Sequence, residues 1–133
     1  MQDRPTALEL LAAVRAFLED DVVPSSEGRK RFHAMVAANV LGIVERELDG
    51  EQERLVEEWR SLAGLLEHGA SMPTTLAGLR RDVAARTSEL AERIRRGEAD
   101  NGPFAARVRA HVREAVVEKL QIANPRFVRS ADG

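Results

Sequence analysis

The sequence predicts an all-α protein: a single-domain bundle of five mostly antiparallel helices, with the second helix at its centre. Three observations predict it. Apolar residues recur at three- and four-residue intervals through five separate stretches. Capping and turn residues fall between those stretches. No stretch alternates apolar and polar side chains with the two-residue period of a strand, and no repeat or low-complexity tract interrupts the pattern.

The first helix is expected from about Pro5 to Asp21. Thr6-Ala7-Leu8-Glu9 has the capping-box order, in which Thr6 caps the first turn and Glu9 reaches back. Leu8, Leu11, Val14, Phe17, Leu18 and Val22 supply its apolar stripe. Pro24 then disfavours helix at Val23, and Ser25 or Ser26 is placed to cap the next helix. The second helix runs from about Ser26 to Asp49-Gly50, where Gly50 suits a left-handed C-terminal cap. Phe32, Met35, Val36, Val40, Ile43, Val44 and Leu48 spread round a wide arc with small residues between them. An arc that wide predicts neighbours on more than one side, hence the central position.

The third helix, about Glu51 to His68, carries Leu55, Val56, Trp59, Leu62, Ala63 and Leu66 on one stripe. Its short link to the second helix predicts an antiparallel hairpin. Gly69, Met72 and Pro73 break the chain, and Thr74 or Thr75 can cap the fourth helix, about Thr75 to Arg96. Leu76, Leu79, Val83, Thr87, Leu90 and Ile94 form its seam, with Thr87 expected as a core hydroxyl. Arg80, Arg81, Asp82, Arg86 and Glu89 are expected on a solvated face. Gly97 ends that helix. The fifth runs from about Pro103 to Ala123, with Phe104, Val108, Val112, Ala115, Val116, Leu120 and Ile122 on its apolar side, and stops at Asn124-Pro125. Residues 1–128 are expected to form the domain and 129–133 a loose tail.

The chain has 133 residues, enough to bury roughly two-thirds of its unfolded surface without staples. It contains no cysteine, which excludes disulfides, thiolate metal sites and cysteine nucleophiles. Residues 2–5 offer no basic-then-apolar signal sequence, and no apolar run approaches a spanning length, so a cytoplasmic protein without membrane contact is expected. Net charge is −2. It divides into 8 basic and 14 acidic side chains over residues 1–75, and 12 basic and 8 acidic over residues 76–133. The two halves can complement each other within one fold, or the second can present a basic face to an acidic partner. No tyrosine and four phenylalanines leave little to stack on bases, so nucleic acid is not an expected partner.

No histidine pair has ligand spacing, and no Glu-x-x-His, phosphate-loop or nucleophile-elbow motif occurs. No cofactor, metal or catalytic residue is therefore expected. What remains is a candidate anion or ligand site. Arg29, Lys30, Arg31 and His33 stand near the N-terminus of the second helix, where free N–H groups favour an anion such as phosphate, a nucleotide or acyl-CoA. The competing reading is neutralisation by Glu19, Asp20 and Asp21 across the preceding turn. Asn39 interrupts the apolar arc: it is either a structural amide, bonded toward the chain end near Asn124, or a ligand-facing one. Asn124 and Arg126 are candidate structural polar residues.

Two segments carry a family resemblance: Gly28-Arg29-Lys30-Arg31-Phe32-His33-Ala34-Met35-Val36-Ala37-Ala38-Asn39 with Glu45-Arg46-Glu47-Leu48, and Lys119-Leu120-Gln121-Ile122-Ala123-Asn124-Pro125-Arg126-Phe127. With Asp3-Arg4-Pro5-Thr6 they resemble a bacterial family of small helical proteins of unknown function, over Arg4 to Phe127. The resemblance implies a genomic setting near acyl-CoA dehydrogenases and aminoglycoside-phosphotransferase-like kinases, not a mechanism. The functional expectation is a non-enzymatic accessory or protein-interaction module that engages such a metabolic enzyme or forms a homodimer. The alternative is a domain binding a small anionic ligand.

Overall fold

The structure, a computed structural model, describes residues 3–131. Among them every regular element is helical. In chain order these are α1 (Ala7–Phe17), a π-helical turn (Leu18–Val22), α2 (Gly28–Leu48), α3 (Glu51–Leu66), α4 (Leu76–Arg95), α5 (Gly102–Ala123) and α6 (Pro125–Ala131). The all-helical class and the helix limits agree with the sequence to within a few residues. The count is six rather than five. Proline at a first helical position costs no hydrogen bond, so Pro125 opens α6 instead of ending order there. The expected tail begins inside that helix, and 132–133 lie outside the described residues, as do Met1 and Gln2.

The chain divides into two compact units. One is built on α1, the π-helical turn and α2, with Ile122–Asn124. The Thr6 hydroxyl accepts from the Glu9 N–H at 3.2 Å, and the Glu9 carboxylate accepts from the Thr6 N–H at 2.7 Å, completing the capping box. α1 and α2 pack antiparallel. The buried residues of α2 are Ala34, Ala38 and Gly42, one every four positions, so α1 meets α2 close to its backbone. Arg15 of α1 clamps Glu45 through Nε at 2.8 Å and Nη2 at 3.1 Å. Arg46 donates from Nε to the Ile122 carbonyl at 2.7 Å.

This arrangement corrects the expectation for the second helix. Its large apolar side chains are not core: Phe32 is 63% exposed, and Met35, Val36, Val40, Val44 and Leu48 are also exposed. Small residues, not large ones, form its buried face. Asn39 is exposed and needs no buried partner. The N-cap is Glu27, which makes no side-chain cap, rather than Ser25 or Ser26. The Ser25 hydroxyl donates to the Asp21 carbonyl at 2.6 Å, and Ser26 is buried.

The second unit holds α3, α4, α5 up to Gln121, and α6. Its core is Trp59, Leu62, Leu65, Leu66, Leu79, Val83, Leu90 and Val108, with Leu62 fully buried. Cross-helix partners give the directions. Glu51 pairs with Arg80, Trp59 with Asp82 and His68 with Glu89, so α3 and α4 advance in the same sense. Gly64 pairs with Arg107, Ser61 with His111 and Arg54 with Glu118, so α5 runs against α3. The connection Glu67–Thr75 makes the same-sense pair possible: extended, its nine residues reach ~30 Å, more than the ~24 Å length of α3.

The seam of α4 also differs from expectation. Thr75 caps it as expected, accepting from the Gly78 N–H at 3.1 Å. Leu79, Val83, Arg86 and Leu90 are the buried positions, while Thr87 is exposed. A charged residue thus occupies the position beside the expected hydroxyl. Val108 of α5 is buried as expected, but Val112 and Val116 are exposed, and Ala105 and His111 are buried in their place.

Candidate functional site

Three places in the two units gather polar or exposed apolar groups. The first is inside the α3–α4 contact. Trp59 Nε1 donates to Asp82 Oδ2 at 2.5 Å, Arg86 Nε donates to the same oxygen at 2.8 Å, and the Arg86 guanidinium lies 4.7 Å from the Trp59 ring centroid. Arg86 and Trp59 are buried. The two donors hold the Asp82 carboxyl below its ordinary pKa, the Arg86 bond first and the Trp59 bond second. Arg86 Nη1 is buried without a hydrogen-bond partner. The trio joins α3 to α4 through the Asp82 carboxylate, with Arg86 Nη1 left as its one unpaired donor.

The second is a cleft of about 510 Å³ between α3 and α5, lined by residues that include Glu57, Glu58, Ser61, His111, Glu118 and Gln121. Ser61 Oγ and His111 Nδ1 lie 2.7 Å apart, and His111 is 8% exposed. His111 is thus a buried ring bonded to a hydroxyl of α3. Burial pushes the Glu118 carboxyl up, and the negative charges of Glu58 and Glu57 push the same way against Arg54 and Lys119. A serine beside a histidine is part of a nucleophile–base arrangement. Acyl transfer also needs a group that orients the imidazole and donors for the developing oxyanion; the cleft lining holds the carboxylates of Glu57, Glu58, Glu114 and Glu118 beside the Arg113 guanidinium and the Gln121 amide. Among the described residues no group of three or more His, Asp or Glu side chains is arranged to hold a metal ion.

The third is the exposed side of the α1–α2 hairpin. Leu10, Val14 and Phe17 of α1 and the six large apolar residues of α2 are each more than a third exposed. On α2 the large apolar side chains are exposed and the small residues buried, the inverse of a helix whose apolar side meets only its own fold.

The sequence-predicted ligand residues do not gather at any of the three. Arg29, Lys30, Arg31 and His33 are exposed along the first turns of α2. Arg29 and His33 share a face, while Lys30 and Arg31 turn away from Arg29 by about 100° and 160°. Asn39 lies ~15 Å further along the axis. The Phe32 and His33 rings are 5.9 Å apart. Neither charge cluster neutralises the other: Arg15 pairs with Glu19, and among the described residues no ion pair joins Glu19, Asp20 or Asp21 to Arg29, Lys30 or Arg31. Asn124 and Arg126 are exposed, and Arg46 rather than Asn39 reaches the chain end. Sequence reasoning misses Arg86, Asp82 and Ser61. The one available signal is that Asp82, Arg86 and Leu90 step along α4 in register with Leu79 and Val83.

The described residues define a small all-helical protein. Residues 24–127 match the model of the family described as a domain of unknown function, DUF6285, and the chain belongs to that family. No curated protein and no solved structure matches the chain. Among the described residues no helix is long and apolar enough to cross a membrane.

Proposed function

We propose that this protein is a non-enzymatic accessory module that works by binding another protein through its α1–α2 hairpin. One observation carries the reading: nine large apolar side chains on two adjacent helices are each more than a third exposed, while the buried positions of α2 are alanine and glycine. Nine such side chains on one hairpin exceed what isolated surface leucines and valines produce, and mark an interaction face. In the other unit, Arg86, Asp82 and Trp59 bond to one another across α3 and α4, as Ser61 does with His111 across α3 and α5. On the family resemblance, the partners to try first are an acyl-CoA dehydrogenase and a phosphotransferase-like kinase; a second copy of the chain is the other.

Affinity capture with the full-length protein tests this. Wild type is expected to retain one of those enzymes, or an untagged copy of itself, and Val40→Glu is expected to lose it. Equal retention by both proteins, or no retention by either, refutes the reading.

A further inference from the structure

We propose that the outer face of α2 is a homodimer interface, in which two copies lie antiparallel about a two-fold axis beside Ala38. The proposal rests on the interaction-module reading and commits the α2 face to one occupant, a second copy of this chain. The face opposite Ala34, Ala38 and Gly42 carries Arg29, His33, Val36, Val40, Ile43 and Glu47, stepping by four and three. That alternation is the seam of two helices crossing at about 20°. Phe32 and Val44 flank the seam.

Except at His33 and Ile43, five residues to either side, the stripe is matched about Ala38. Val36 and Val40 stand two residues to either side, Phe32 and Val44 six, and Arg29 and Glu47 nine. In an isologous pair each position stands level with its mirror position. Val36 then faces Val40 of the second copy, Phe32 lies along one flank beside Ile43, Val44 beside His33, and Arg29 faces Glu47, the last contact formed twice. A parallel pairing would instead set Arg29 on Arg29 and Glu47 on Glu47, which like charges oppose. Charge therefore selects the antiparallel arrangement that the apolar residues also permit.

The area is sufficient for a specific but modest dimer. Exposed fractions of 63, 45, 50 and 37% for Phe32, Val36, Val40 and Val44, applied to roughly 150–200 Å² per whole side chain, leave roughly 350 Å² of apolar surface per protomer. At the apolar share of about 57% typical of protein interfaces, that corresponds to about 600 Å² per partner and about 1,200 Å² in all. This is the lower edge of the range for stable pairs, so association is expected in the micromolar range.

Sedimentation equilibrium on the full chain is the test. The mass is expected to rise from 14.7 kDa toward twice that value with concentration. Val40→Glu is expected to stay monomeric with unchanged helical circular dichroism, because Val40 is exposed within its own chain. Arg29→Glu and Glu47→Arg should each raise Kd roughly tenfold, and the double variant should return it to within roughly threefold of wild type. A wild-type monomer up to roughly 200 µM, a dimer indifferent to Val40→Glu, or charge variants that fail to rescue each other would overturn the proposal. A monomer that still captures an enzyme in a Val40-dependent way overturns the homodimer and leaves the interaction-module reading standing. A monomer that captures nothing removes both.

Discussion

Arg86 and Trp59 face each other at 4.7 Å and donate to the same oxygen of Asp82, so a buried cation is held by one ring and one carboxylate. Removing the two charges is not equivalent. Asp82→Ala leaves the guanidinium buried with only a π-face for a partner, whereas Arg86→Met removes the charge and keeps the volume. An uncompensated buried charge costs more than an apolar replacement of similar shape. Asp82 is 35% exposed on its side chain, which lets water reach the site and moderates the loss. Asp82→Ala is expected to lower stability by about 2–3 kcal/mol, and Arg86→Met by less than about 1.5 kcal/mol. Urea denaturation of both variants checks the order.

The buried arginine also marks the limit of what periodicity reveals. Helix limits are legible because their signals are local: Thr6 with Glu9, Thr75, and Gly50 and Gly97 with φ of 72° and 83° all depend on a few neighbouring residues. The inward face of α2 is not legible. Both of its faces are compatible with burial, one through Phe32, Val36, Val40 and Val44 and the other through Ala34, Ala38 and Gly42. A hydrophobic count favours the first, but close helix approach favours the second. On α4 the expected seam steps from Val83 to Thr87, whereas the chain steps from Val83 to Arg86, because Asp82 and Trp59 make that charge tolerable at the core. His111 escapes a local reading for a similar reason: its partner Ser61 lies fifty residues away and carries no nearby signal.

The inversion of the two units predicts contrasting costs for similar truncations. Leu62 is fully buried among α3 and α4 core residues, and Leu62→Ala is expected to cost about 2–5 kcal/mol. Val40 is half exposed, so under dilute, monomeric conditions Val40→Ala is expected to change stability by less than about 0.5 kcal/mol. Chemical denaturation at low protein concentration measures both. A large loss at Val40 would mean that this face of α2 is packed within the monomer, not open to solvent.

Two carboxylates of the α3–α5 unit predict opposite pH dependence. Burial raises the pKa of Glu118 above its ordinary 4.5. A raised carboxyl favours folding while protonated, and that contribution is lost as pH rises through the folded value. Glu118→Gln should therefore raise Tm at pH 7 and lose its advantage below about pH 4.5. Glu51 has the reverse sign, because the Arg80 hydrogen bonds lower its pKa from an ordinary 4.5. Its contribution is present above 4.5 and is lost as pH falls through the lowered value. Glu51→Gln should thus lower Tm at pH 7 and approach wild type as pH falls below the lowered value. Thermal melts of the three proteins across this range give the comparison.

The closeness of α1 to α2 makes their contact intolerant of volume but not of every added atom. Ala38 is 4% exposed at the middle of the small-residue face, so Ala38→Leu drives three extra heavy atoms toward α1. Overpacking of this kind costs about 1–3 kcal/mol, and separating the helices would also pull Arg15 away from Glu45. Gly42 is different. A Cβ there would stand 3.3 Å from Arg46 Nη1 and 3.6 Å from Arg15 Cδ. The nearer atom is the tip of a flexible side chain that can yield, while alanine gains about 1 kcal/mol of helix propensity over glycine. Gly42→Ala is therefore expected to be neutral or stabilising by up to about 1 kcal/mol, and Ala38→Leu clearly destabilising. Paired denaturation curves decide it: equal losses at both positions would mean that the helices meet along the whole stripe with no freedom at Arg46, and no loss at Ala38 would mean that they do not meet there at all.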